Sequence, residues 1–283
     1  MATYLITHST LLKQPQRLQP WLDALADNQI AIDGQRSFDQ PQWAVDIQAD
    51  DLLLALGGDG TQSVVAATCL QKGARMAVLP AGTGNDFARA LGVPLGPSGA
   101  SVLIRRGKSR QIDVGTVNGR PFLNVVHVGL GAQVGLKIPS AIKRRWGPLS
   151  YLRHLLSLLY RKRGFWGRIE YDGHTVYGRW LEIAVANGPS FGGGHLIAEA
   201  SHSNGTLTLV CVRARPLPRL LLAWLAARLG RPLDRKVMRF EHVRSCRLQT
   251  RRSLRISADG EGVGHTPMSC EIRAASLWVI SPY

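Results

Sequence analysis

Apolar and polar residues alternate in blocks through the first hundred positions, and the period of the pattern then changes. Residues 3–7 (TYLIT) and 75–79 (RMAVL) read as strands. Residues 51–56 (DLLLAL) form a continuous apolar run, the mark of a strand covered on both faces. Residues 17–26 (RLQPWLDALA), 62–71 (QSVVAATCLQ) and 84–91 (GNDFARAL) space their apolar residues for helices, the first despite Pro20. Strands and helices joined by short turns predict a parallel sheet covered by helices. Beyond residue 108 a two-residue alternation takes over. IDVGTVNGRPFLNVV sets Asn118-Gly119 between two β-rich runs, a hairpin signal. GRIEYDG, HTVYGRWLEIAVA, GTLTLVCVR, RSCRLQT, LRISADG, SCEIR and SLWVIS follow as further strands, with helical pieces near 140–162 and 217–229. The pattern predicts an α/β domain over 1–108 and a mainly antiparallel β domain with interspersed helices over 109–283.

Charge adds a partner to this picture. The 283 residues hold 35 Lys and Arg against 19 Asp and Glu, a formal net charge of +16. Such an excess suits nucleic acid, an anionic membrane or phosphorylated ligands, or is simply a basic surface. No nucleic-acid-binding motif is visible, so nucleic acid is not expected. The four cysteines, Cys69, Cys211, Cys246 and Cys270, form no C-x-x-C pair and predict neither a zinc ribbon nor a disulfide framework. The opening MATYLITHST lacks a basic region and a long apolar core, and no apolar run reaches bilayer length. A cytoplasmic protein that meets membranes peripherally is the expectation.

Two glycine-rich turns carry the candidate chemistry. Residues 57–61 (GGDGT) and 79–87 (LPAGTGNDF) each leave a strand and open a helix. Glycines there serve either as tight-turn residues or as a cradle whose bare N–H groups face a phosphate. Two such turns on neighbouring strands face one edge of a parallel sheet, where open α/β folds bind ligands. Neither is a Walker A loop or a G-x-G-x-x-G fingerprint.

GGDGT followed by PAGTGNDFARALGVP resembles the diacylglycerol kinase catalytic-domain family, the soluble bacterial lipid kinases of the YegS/BmrU type that are related to sphingosine and ceramide kinases. NVVHVGLGA (124–132), KRRWGPLSYL (143–152), ANGPSFGGG (186–194) and the late DGE (259–261) extend the resemblance over nearly the whole chain. It implies an N-terminal α/β domain of the NAD-kinase and phosphofructokinase type and a β-sandwich-like lipid domain. The implied reaction moves the γ-phosphoryl group of ATP to a lipid hydroxyl with Mg²⁺. By position, the resemblance puts nucleotide contacts on Gly57, Gly58, Asp59, Gly60, Thr61, Gln62, Ser63 and Thr83. It makes Asp59 a catalytic acid acting through Mg²⁺ or on the loop, against the plainer reading of a helix-capping turn acid. Glu261 matches the proton acceptor, although Asp-Gly is also an ordinary hairpin turn. Asn85 and Asp86 read as capping residues.

The chain departs from the family at Thr7-His8-Ser9-Thr10, where an Asn-Pro motif is usual, and at Ser63-Val64, where Asn-Glu is usual. A structural Mg²⁺ loop of the family corresponds here to Ser201, Asn204 and Thr206, neutral groups that suit a hard cation poorly, so that site is expected to be weakened. Lys137 to Arg168 interleaves cations such as Arg144, Arg145 and Arg153 with Trp146, Tyr151, Phe165 and Trp166. It reads as an interfacial helix for an anionic membrane or as a core helix with solvated arginines, and 216–230 likewise as a second anchor or core. A lipid kinase is the favoured reading. A kinase of a soluble molecule such as NAD, and a non-catalytic lipid- or nucleotide-binding relative, are the alternatives.

Overall fold

The computed structural model describes residues 1–132, 164–191, 195–197, 200–216, 218–220, 222 and 236–282. The cationic stretch 137–163 and most of 216–230 lie outside these residues.

The N-terminal half runs β1 (Thr3–Thr7), α1 (Ser9–Leu12), α2 (Pro15–Asp27), β2 (Gly34–Ser37), β3 (Leu52–Gly57), α3 (Asp59–Lys72), β4 (Arg75–Pro80), α4 (Asp86–Ala90) and α5 (Pro97–Arg106). Its four strands pair in parallel in the order β2-β1-β3-β4. The strand over 51–56 is buried on both faces, with Leu53, Leu54, Ala55 and Leu56 fully enclosed. Helix α2 forms in spite of Pro20 and buries Leu18, Trp21, Ala24 and Leu25 against the sheet. Helix α3 starts three residues earlier than its apolar pattern implies. Gly58 is extended at the N-cap, so the glycine turn itself becomes the first helical turn, and Gly73 closes the helix at φ 74. The hydrophobic pattern misses β2, whose GQRS carries no apolar alternation because it is an edge strand paired only with β1.

The second half runs β5 (Lys108–Val117), β6 (Arg120–Phe122), β7 (Val125–Gly129), β8 (Phe165–Tyr171), β9 (His174–Ala186), β10 (Ser190–Phe191), β11 (His195–Leu196), β12 (Leu207–Arg213), β13 (Met238–Val243), β14 (Ser245–Thr250), β15 (Arg255–Ala258), β16 (Glu261–His265) and β17 (Met268–Ser281). The strands of this half pair antiparallel with one another. Asn118 and Gly119 have φ of 48° and 81°, as a two-residue hairpin between β5 and β6 requires.

SCEIR and SLWVIS read as two strands, yet they belong to one. β17 runs unbroken across a bulge at Ala275 (φ 45°), and the Asp113 carboxylate accepts the Ala275 N–H at 2.8 Å. Its first part pairs with β14, and Val279 then pairs in parallel with Met76 of β4. Ile112, Val114, Leu277, Val279 and Ile280 therefore pack in the N-terminal core with Leu5, Leu54, Met76 and Phe87. The second core lies within the β half around Phe122, Trp180, Ile183, Leu248 and Ile256. Among the described residues, no helix is long and apolar enough to cross a membrane.

Candidate functional site: two glycine turns facing an Asp-Gly-Glu hairpin

Gly57 pairs with Pro80 at the ends of β3 and β4, so both glycine turns leave one edge of the sheet. They touch. A Cβ on Gly82 would run into the Gly58 Cα, and a Cβ on Gly57 would run into Thr61 Oγ1. No side chain fits at either position. Asn85 (φ 52°) braces the second turn, accepting the Gly82 N–H at 3.0 Å through Oδ1 and donating to the Gly82 carbonyl at 2.9 Å through Nδ2. Gly58, Asp59, Gly60 and Thr61 are half-buried at the start of the 14-residue helix α3, where the first-turn N–H groups lack intrahelical partners and favour an anion. Thr83 is exposed at the tip of the second turn. Beside Gly57 and Thr61 lies a cleft of about 190 Å³, whose walls include Thr7, His8 and Arg17. His8 closes the turn after β1 by accepting the Thr10 N–H at 3.1 Å.

Asp59 does not cap its own helix. Its Oδ1 accepts the Phe87 N–H at 3.0 Å, so it caps α4 and ties the two turns together. Burial raises the Asp59 pKa, and the charges of Asp86 and Asp259 add to the rise, against the Phe87 hydrogen bond. A Cβ on Gly84 would meet Asp59 Oδ2 at 3.0 Å and Asp86 Oδ2 at 3.6 Å, so the absent side chain leaves room for two carboxylates. Two converging carboxylates are hard oxygen donors that fit a divalent cation. Among the described residues, no group of three or more His, Cys, Asp and Glu forms a metal cage without such help.

The third part comes from the far end of the sequence. Asp259 and Gly260, with φ of 48° and 88°, make the two-residue turn between β15 and β16, with Ala258 opposite Glu261. The hairpin reading of this turn is therefore correct, and the turn also does more. Asp259 accepts N–H groups from Leu123 (2.7 Å), Asn124 (2.8 Å) and Val125 (3.1 Å), and the Ser63 hydroxyl at 3.1 Å. Burial raises its pKa against these four hydrogen bonds. Ser63 lies on α3, so Asp259 joins the two halves of the molecule. Glu261 is exposed, and its Oε1 lies 3.2 Å from where a Cβ on Gly60 would be. The carboxylate thus stands at the N-terminal turn of α3.

Two expected nucleotide contacts are placed differently. Gln62 turns inward with no exposure and donates to the Gly57 carbonyl at 3.3 Å, because it falls on the same stripe of α3 as Val65, Ala66 and Cys69. Ser63 spends its hydroxyl on Asp259. Asp259 itself escaped the sequence reading, since a turn aspartate and a buried brace look alike in Asp-Gly-Glu.

The loop over 201–206 is held by protein groups. The His202 ring, fully buried, meets the Leu123 carbonyl at 2.9 Å through Nε2, the Gly205 N–H donates to Asp113 at 2.7 Å, and the Asp113 N–H donates to the His202 carbonyl at 2.7 Å. Asn204 Oδ1 accepts the Thr206 N–H at 3.1 Å, and Ser201 Oγ lies 3.2 Å from Ser203 Oγ. These neutral, engaged oxygens do not fit a hard cation.

Two family profiles match the chain, the diacylglycerol kinase catalytic domain over residues 11–117 and the YegS C-terminal NAD kinase beta sandwich-like domain over residues 124–281. A diacylglycerol kinase of Staphylococcus aureus (strain bovine RF122 / ET3-1) is 32% identical over 220 residues, 77% of this chain and 70% of that protein. A solved structure from Bacillus anthracis str. Sterne aligns over 99% of this chain and 96% of its own, at 24% identity and a TM-score of 0.76. Another, described as a diacylglycerol kinase from the same strain, aligns over 99% and 96% at 21% identity and a TM-score of 0.70. These structural likenesses establish a shared fold, a parallel N-terminal sheet continued by an antiparallel β-sandwich-like part.

Proposed function

Since the chain belongs to the diacylglycerol kinase catalytic-domain family, we propose that this kinase transfers the γ-phosphoryl group of ATP to the hydroxyl of a diacylglycerol-like lipid. The observation that carries the reading is the placement of the Glu261 carboxylate beside Gly60, at the end of α3 where a phosphate would sit.

Each residue has a task set by phosphoryl transfer, which demands positioning and charge neutralisation more than covalent chemistry. The N–H groups of Gly58 to Thr61 receive phosphate oxygens, and the touching glycine turns keep side chains out of their way. Thr83 reaches the phosphates from the second turn, and Arg17 adds a cation in the adjoining cleft. Asp59 and Asp86 would hold a Mg²⁺. When bound, the ion neutralises phosphate charge. Glu261 accepts the proton of the lipid hydroxyl as its oxygen bonds to the γ-phosphorus and the bond to the β-phosphate oxygen breaks, releasing ADP. Asp259, through Leu123–Val125 and Ser63, holds Glu261 at that distance. Peripheral binding to an anionic membrane gives access to the acceptor.

The test is γ-labelled ATP with diacylglycerol, monoacylglycerol, phosphatidylglycerol and a sphingoid base in mixed micelles, with NAD as the soluble control. Label should pass to a lipid and not to NAD. Glu261→Gln should lower kcat about 10²- to 10⁴-fold with the KM for ATP nearly unchanged. Transfer to NAD alone, or a Glu261 effect confined to ATP affinity, overturns the proposal.

A further inference from the structure

Strands β8, β9 and β14 bury one face and expose the other. Ile169, Trp180, Cys246 and Leu248 point into the second core. Register then fixes the composition of the outer face. Trp166 stands opposite Arg179, Arg168 stands between Tyr177 and Gln249, and Glu170 stands between Thr175 and Arg247. Arg251 continues the row of Trp166, donating its N–H to the Trp166 carbonyl at 3.2 Å. The indole of Trp166 is 51% exposed and Tyr177 is 64% exposed. A guanidinium lies near each ring, Arg251 at 5.5 Å from Trp166 and Arg168 at 5.5 Å from Tyr177. Arg168, Arg179, Arg247 and Arg251 share these rows with a single acid, Glu170, which is ion-paired to Arg168.

We propose that this face docks the protein on the surface of an anionic bilayer. It rests on the lipid-kinase reading only in that a membrane-borne acceptor gives the docking its purpose; the binding itself requires no catalysis. Indole and phenol rings are amphipathic and settle at headgroup depth, where an exposed ring is no longer wasted in water. Arginines beside them pair with anionic headgroups and add the long-range attraction of a chain with a net charge of +16. Three paired strands about 4.8 Å apart carry these groups side by side on one face of the sheet. Aromatic and arginine side chains on a sheet also suit single-stranded nucleic acid, which stacks its bases on open ring faces. Here a guanidinium already lies over each ring, so the bilayer is the better match.

The test uses the full chain without ATP, in co-sedimentation with vesicles of phosphatidylcholine alone and of phosphatidylcholine with phosphatidylglycerol. Wild type should bind the anionic vesicles at least tenfold more tightly than the neutral ones, and less so as salt rises. Trp166→Ser with Tyr177→Ser should weaken that binding at least fivefold, and Arg179→Gln with Arg251→Gln should do so independently. All variants should keep the wild-type melting temperature and the same turnover of a water-soluble short-chain acceptor. A kinase assay that fails on every acceptor would count against the lipid-kinase reading, while the vesicle experiment would still decide the docking face. Folded variants that bind anionic vesicles like wild type, or a wild-type chain that prefers single-stranded DNA to vesicles of equal charge, would overturn the proposal.

Discussion

Asp59 shows how a residue of the candidate site can oppose the fold that holds it. Its ionised form is disfavoured by burial and by Asp86 and Asp259. With a folded-state pKa above the unfolded value, the native state holds the proton more tightly. Stability contributed by this group is thus full at low pH and falls as pH rises through the folded pKa. Asp59→Asn keeps an oxygen for the Phe87 N–H and sheds the charge. Its melting temperature at neutral pH should equal or exceed that of wild type, with the advantage gone in acid, while turnover falls at least 100-fold. A folded variant with full turnover would remove Asp59 from the mechanism. Burial raises the Asp259 pKa as well, but the same substitution there should lower stability. Asn in its place would turn an N–H₂ toward N–H donors, so Asp259→Asn should cost about 1–3 kcal/mol. Ser63→Ala and Asp259→Asn together should cost less than the sum of the two, since they remove one contact. Additive losses in thermal or urea unfolding would show that the pair is not coupled.

The elements differ in how plainly the chain announces them. β3 and the Asn118-Gly119 hairpin follow from strong local signals, an uninterrupted apolar run and a pair suited to positive φ. Helix α5 escaped because its stretch, PSGASVLIRR, opens with Pro, Ser and Gly, which read as loop. The meeting of the two glycine turns at one sheet edge is legible because both the residues and their strand neighbours are in view. The contact of Asp259 with Ser63 was not, because it spans 196 positions and only tertiary folding brings the residues together. The same holds for the loop over 201–206, where His202 is decisive. Burial lowers its pKa from 6.5 to about 4, against the pull of the Leu123 carbonyl, so the ring is neutral in the native state. The unfolded chain gains a proton near pH 6.5 and the native one only near pH 4. Stability is therefore full above pH 6.5 and falls by about 3 kcal/mol on the way down to pH 4. His202→Gln should flatten that slope in urea titrations between these pH values, and an unchanged slope would assign it to other groups.

For the molecule as a whole, the assembly of the two halves matters most. The N-terminal core includes Ile112 and Val114 from β5 and Leu277, Val279 and Ile280 from β17. Removing one of these side chains should therefore be felt everywhere. Leu277→Ala should destabilise by about 2–5 kcal/mol. The loss should appear in a single transition seen alike by probes near Trp21, in the first core, and Trp180, in the second. Two separate melting steps would show that the halves fold independently.

β17 also sets an order of events during synthesis. Residues 3–106, with every helix and parallel strand of the N-terminal half, leave the ribosome well over a hundred positions before Leu277. Through that interval the β4 edge has no partner, and Met76 and Val78 lack the side chains that finally cover them. An unpaired strand edge beside bare apolar surface invites the wrong neighbour. The nascent chain is most exposed to aggregation while its two glycine turns are already made, and a fragment ending near residue 108 inherits that exposure permanently.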